Sequence, residues 1–108
     1  MEVIREYRRK TVGAIDKDVD PADSGLIGVP ASEITTNFGY LPAKQTTVNP
    51  NWAAVMVEMF REVGVKEGDT IAMGLSGSFP AMNLAAYAAA AELKAEVIAI
   101  SAASASTW

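Results

Sequence analysis

The stretch TIAMGLSGSFPAMNLAAYAAAAELKAEVIAIS, Thr70 to Ser101, decides the fold. Thr70-Ile71-Ala72-Met73 is a short apolar run that enters a glycine loop, Gly74-Leu75-Ser76-Gly77-Ser78-Phe79. Pro80 suits the first position of a helix, which the spacing predicts over Pro80 to Leu93. Lys94-Ala95 then turns the chain into a second apolar run, Glu96-Val97-Ile98-Ala99-Ile100. Near-continuous apolar strands flanking a helix predict parallel pairing through a right-handed crossover, with both strands buried. The helix is rich in Ala from Ala81 to Ala91, and small side chains let it lie close against the sheet. The fold class is therefore α/β: a small parallel-sheet, Rossmann-like unit with one clear βαβ crossover, expected to be part of a larger domain.

Upstream, residues 50–108 are expected to act together, a helix leading into this β-loop-α-β unit. Asn49 is a good N-cap and Pro50 a good first helical residue. Trp52, Val55, Met56, Met59, Phe60 and Val63 recur at helical spacing and predict one buried face. Gly64 ends the helix. Residues 16–49 read as a turn-rich segment with short strands. Within it Asp16 to Gly25 is turn-forming, Leu26 to Val29 is a possible strand, and Ala31 to Thr47 has no sustained period and reads as irregular or edge strand. The alternating Asp residues suggest a calcium loop, but Pro21 stands where the sharp turn needs Gly and Ile27 where the closing Glu belongs, so turns and capping are the better account. An N-terminal helix is expected within residues 1–15, with Val3, Ile4 and Tyr7 inward and Arg5, Arg8 and Arg9 exposed. The polar run Ser101 to Trp108 lies just past the second strand, at the edge where functional loops follow strand C-termini, with a flexible, unfinished tail as its plainer reading. The chain is accordingly expected to be truncated after Trp108, and to need a missing C-terminal portion, a partner chain or oligomerisation to cover its sheet.

Composition narrows the chemistry. The chain has 108 residues, half of them hydrophobic and 20% charged, with a net charge of −4. This is globular composition with no bulk attraction to nucleic acid or anionic lipid. The basic cluster Arg5, Arg8, Arg9 and Lys10 is diluted by Glu2 and Glu6. Without Cys or His, thiol chemistry, thiolate metal sites and the usual general base are excluded. No metal site is expected, and no cofactor is indicated.

The residues left to carry chemistry centre on the glycine loop. Gly74 and Gly77 permit close approach, Ser76 and Ser78 offer hydroxyl donors, and the start of the following helix favours negative charge. A small anion, carboxylate or phosphate, is the expected guest, against a plainer reading in which Ser78 caps the helix and the glycines make a turn. The loop is not a nucleotide P-loop, lacks the third Gly of a dinucleotide fingerprint, and misses the Gly-x-Ser-x-Gly elbow at Ser78. A nucleophilic Ser76 would need a Lys base in this His-free chain. Lys44, an isolated cation before Gln45-Thr46-Thr47, could neutralise a bound anion or act as that base if buried; its plainer reading is a solvated lysine. Ser104, Ser106 and Thr107 form a third, weaker group at the strand's C-terminal edge.

The loop is similar to the Gly-x-Ser-Gly-Ser/Thr phosphate loop of sugar-phosphate isomerase domains. Several blocks together resemble the poly-γ-glutamate system proteins. They are Asp20-Pro21 with Ser24-Gly25-Leu26-Ile27-Gly28-Val29, Ala43 to Ala54, Gly64-Val65-Lys66 to Asp69-Thr70, Gly74 to Asn83, and Ser104-Ala105-Ser106-Thr107-Trp108. The resemblance implies a bacterial component of poly-γ-glutamate capsule biosynthesis, associated with the cell envelope, with a γ-glutamyl polymer or small anion as ligand. It implies no particular reaction. A γ-glutamyl or phosphate-ester enzyme, a non-catalytic accessory or binding subunit, and an isomerase-like phosphate-binding domain all remain open.

Overall fold

The computed structural model describes residues 2–108. Its elements run α1 (Glu2–Thr11), β1 (Thr35–Asn37), α2 (Leu41–Thr47), α3 (Trp52–Glu62), β2 (Thr70–Leu75), α4 (Pro80–Glu92), β3 (Glu96–Ser101) and β4 (Ala105–Ser106). They form two parallel two-stranded sheets, β2 with β3 and β1 with β4. The α/β crossover is as the sequence predicts: Thr70 pairs with Glu96 and the register runs unbroken to Leu75 opposite Ser101.

The β2–β3 sheet is covered on one side only: the strands read as buried are at most half-buried, in keeping with the expectation that this chain alone leaves part of its sheet uncovered. Ile71, Met73 and Leu75 are half-buried, while Thr70, Ala72 and Gly74 alternate outward. On β3, Ile98 is 66% and Ile100 81% exposed. A single crossover helix supplies cover for one face, and alternate side chains of a strand point to opposite faces. That helix, α4, buries Ala81, Ala85, Ala89 and Ala90, and packs both on β3 and along α3.

Helix α3 packs mainly along α4, with the Trp52 indole N–H also donating to the Thr46 carbonyl of α2 at 3.0 Å, and this changes which of its residues are covered. Ala53, Met56, Val57 and Phe60 are half-buried, while Val55, Met59 and Val63 from the predicted apolar face remain exposed. One neighbouring helix occludes a narrow stripe, less than the arc those residues span. Asn49 does bond the backbone of this turn, its Oδ1 accepting from the Asn51 N–H at 3.0 Å. Helix α3 itself begins one turn later, at Trp52. It closes at Gly64 with φ +85°, where the Val65 N–H reaches the Phe60 carbonyl at 2.9 Å. A left-handed glycine is the usual residue for that closure.

The compact core lies elsewhere, where Ile27, Val48 and Ala81 meet Val19, Leu26, Leu41 and Trp108. Several expectations change here. Residues 41–47, read as irregular, form α2, with Pro42 in the first turn where its missing N–H costs nothing. Leu26 to Val29 belongs to no strand. Ser101 to Trp108 is no loose tail. The Ala105 and Thr107 N–H groups donate to the Ile34 and Asn37 carbonyls at 3.0 Å each, and the Trp108 N–H donates to the Val29 carbonyl at 2.9 Å. Helix α1 docks through its basic side. Arg8 donates to the Gly28 carbonyl at 3.4 Å, Arg9 and Arg5 lie 2.6 and 3.7 Å from Asp23, and Val3 and Tyr7 face solvent.

Candidate functional site

The glycine loop leaves β2 at Leu75 and is held from its far side. The Ala102 N–H donates to the Leu75 carbonyl at 2.9 Å, and the Asn83 amide reaches back from the first turn of α4 to the Ser76 carbonyl at 2.7 Å. The Ser76 hydroxyl accepts from the Ser78 N–H at 3.1 Å, a local turn of the kind serine favours. Ser76 remains exposed. Ser78 does not cap α4, whose N-cap residue, Phe79, makes no side-chain capping bond. Instead the Ser78 hydroxyl accepts from the Ser106 N–H at 2.9 Å, tying the loop to β4.

Gly77 is small for a reason internal to the chain. A Cβ at this position would lie 2.6 Å from the Ser104 carbonyl oxygen and 3.2 Å from that of Ala103. The close approach expected for a ligand is made by the chain's own 103–104 backbone. Gly74 has open space above it. Neither glycine is among the left-handed residues, so their freedom of φ is not what the loop uses. Gly39 does the same service as Gly77 from the other side, its missing Cβ making room for the Thr107 carbonyl.

Lys44, on α2, is 2% exposed and comes to this same corner. Its ammonium group donates to the Ser78 carbonyl and, at 2.8 Å, to the Ser106 hydroxyl. It also stands 4.5 Å from the centre of the Phe79 ring, within range of a cation–π contact. Among the described residues no carboxylate lies within ion-pair distance of it. Burial lowers its pKa from the ordinary lysine value, because the charged form loses water without gaining a counter-charge.

Of the residues singled out in the sequence, the structure thus brings together Lys44, Ser78 and Gly77. Gly74 and Ser76 sit on the loop's open side, and Ser76 is not among the hydrogen-bond partners of Lys44. Sequence reasoning undervalued Ser106, which joins Lys44 to Ser78, and missed Phe79. The available signal for Ser106 was its position just past the C-terminal end of a parallel strand, where functional loops collect. Asp20, the other buried charge, serves its own turn. Its Oδ2 accepts from the Ser24 hydroxyl at 2.9 Å and the Gly25 N–H at 2.8 Å.

The hydroxyl oxygens of Ser76, Ser78 and Ser106 all act here as acceptors, and none donates its own proton among the described hydrogen bonds. An ammonium group has three donors, and among the described hydrogen bonds Lys44 uses two of them, to the Ser78 carbonyl and the Ser106 hydroxyl. The corner is rich in donor capacity and poor in negative charge. No helix among the described residues is long and apolar enough to cross a membrane. No family model, curated protein or solved structure matches the chain.

Proposed function

We propose that the chain is a small-anion-binding unit, with the ligand carboxylate or phosphate received at the corner of Lys44, Ser78 and Ser106. The observation that carries this is the burial of Lys44 without a carboxylate partner. An ammonium group taken out of water costs several kcal/mol unless something compensates it, and two neutral acceptors with an aromatic face compensate only part. A bound anion would supply the missing counter-charge. The uncommitted protons of Ser78 and Ser106 would donate to its oxygens.

The blocks that resemble poly-γ-glutamate system proteins support a glutamate-derived carboxylate as the ligand, and with it a part in making that polymer. The serine-rich loop equally supports phosphate, as in isomerase-like domains. Calorimetric titration with phosphate, glutarate and a short γ-glutamyl peptide at fixed ionic strength separates these. The parent is expected to bind at least one of them, and Lys44→Met to lose that binding while keeping its circular-dichroism spectrum. Equal binding by parent and variant would contradict the proposal.

A further inference from the structure

The Lys44–Ser106 contact has a consequence beyond binding. We propose that Ser106 and Lys44 form a nucleophile–base pair for acyl transfer, acting on amides or esters whose acyl portion carries a carboxylate. The proposal goes beyond the anion-site reading and concerns the same corner. In place of a bound counter-ion, it assigns Lys44 a proton-accepting role toward the serine it touches.

Geometry comes first. Ser106 Oγ lies 2.8 Å from Lys44 Nζ, within reach for direct proton transfer. The nucleophile is fixed at its backbone as well, since its N–H donates to the Ser78 hydroxyl at 2.9 Å. The base is fixed by the Ser78 carbonyl and the Phe79 ring. A lysine serves as base only as the free amine, and burial moves Lys44 toward that form. With no His in the chain, a serine–lysine pair is the arrangement open to a serine nucleophile.

Ser106 also lines a cleft of about 260 Å³ shared with Gly77, Pro80, Trp108 and Arg8. That volume admits a small acyl group. Arg8 fixes the substrate class. Arg5 and Arg9 both lie against Asp23, whereas Arg8 has no carboxylate partner among the described residues and bonds only the Gly28 carbonyl. A half-buried guanidinium on a cleft wall suits a carboxylate, which it can grip with paired N–H groups.

The step balances with water as the only co-reactant. The Lys44 amine takes the Ser106 hydroxyl proton as Oγ bonds to the carbonyl carbon, and the carbonyl π pair moves to its oxygen. When that pair returns, the bond to the leaving nitrogen breaks and the Lys44 ammonium gives its proton to that nitrogen, leaving an ester on Ser106. Water then attacks the ester carbon with loss of a proton to Lys44. That proton passes to Ser106 Oγ as the ester bond breaks, releasing the free acid.

The test uses the full chain with a fluorophosphonate, followed by intact-mass measurement and peptide mapping. In parallel, hydrolysis of the p-nitrophenyl monoester of glutaric acid is compared with that of p-nitrophenyl acetate. The expected result is one adduct on Ser106, forming faster as pH rises toward a plateau below 10.5, the ordinary value for the lysine. Lys44→Met should slow it roughly a hundredfold or more, and Arg8→Gln should raise KM for the glutarate ester while leaving the acetate reaction little changed. No adduct on the parent at any pH up to 10.5, the ordinary lysine value below which burial sets Lys44, would overturn the proposal. So would an adduct mapped to another residue, whatever the variants do. Titration of the same samples with phosphate, glutarate and the γ-glutamyl peptide keeps the two ideas apart: binding of any of them without an adduct leaves the anion site standing and removes the nucleophile, and an adduct without binding of any of them does the reverse.

Discussion

The β2–α4–β3 crossover and the β1–α2–β4 corner invert the usual relation between polarity and burial. The crossover leaves Ile98 and Ile100 largely in solvent, while the corner encloses Lys44 at 2% exposure. Apolar patterning marks what a strand would bury if something covered it. It does not supply the cover. The corner is enclosed because segments distant in sequence converge on it: β1 and β4, α2, and the loop before α4. Its contents are therefore set by the chain's path and by the chemistry of a few side chains, and a charge can be held there.

The sharpest way to break this contrast is at Gly77. A valine there would press its Cβ into the Ser104 carbonyl, and backbone cannot move aside as a flexible side chain would. Gly77→Val is expected to cost about 1–3 kcal/mol, concentrated in the corner. Hydrogen exchange should show the Ala105 and Thr107 amides losing protection while the β2–β3 ladder keeps its own. Uniform loss across both sheets would mean that corner and crossover are one cooperative unit.

Lys44→Met addresses the charge itself. Because burial sets the folded pKa below the unfolded 10.5, the folded chain releases this proton first as pH rises. Between the two values the unfolded state holds more protons, so the parent gains stability with pH in that window, and the gain is complete above 10.5. Below the folded value both states are protonated and the full burial penalty applies. Denaturation midpoints at several pH values should show the parent improving relative to Lys44→Met over that window. Parallel curves would place the lysine in water.

Ser76→Ala is a smaller perturbation. It removes one exposed hydroxyl and the acceptor of the Ser78 N–H, worth on the order of 1 kcal/mol of stability, and should change anion affinity less than Lys44→Met does. The smallest effect on folding belongs to the crossover's bare face. Ile98→Thr with Ile100→Thr should change stability by no more than about 0.5 kcal/mol per site and should reduce any self-association seen by sedimentation. A large loss of stability would mean that this face is covered in solution.

The two regions also differ in how much of them can be read from sequence. The crossover is local: apolar runs flanking an Ala-rich segment determine β2, α4 and β3 within a residue or two. The corner is not. Thr35-Thr36-Asn37 and Ala105-Ser106 carry little strand signal singly, and pair only because the chain returns them to each other. Helix α2 is masked by Pro42, which reads as a breaker although it sits in the first turn. Lys44 and the glycine loop are both conspicuous in the sequence, yet Ser106, which bonds to both, lies 62 residues from Lys44. Gly77 shows how the right residue can be chosen for the wrong reason, since what it admits is the chain's own backbone.

The central claim is that Lys44 is a buried cation whose counter-charge comes from a bound anion, and the Lys44 side-chain nitrogen reports on it directly. Its pH titration can be followed by NMR, with and without saturating phosphate or glutarate. Without ligand the pKa should lie below the ordinary 10.5, as burial requires. With ligand it should move upward, because an anion that favours the ammonium must, by reciprocal linkage, make the proton harder to remove. A Lys44 titration that stays the same with and without either anion would contradict the account.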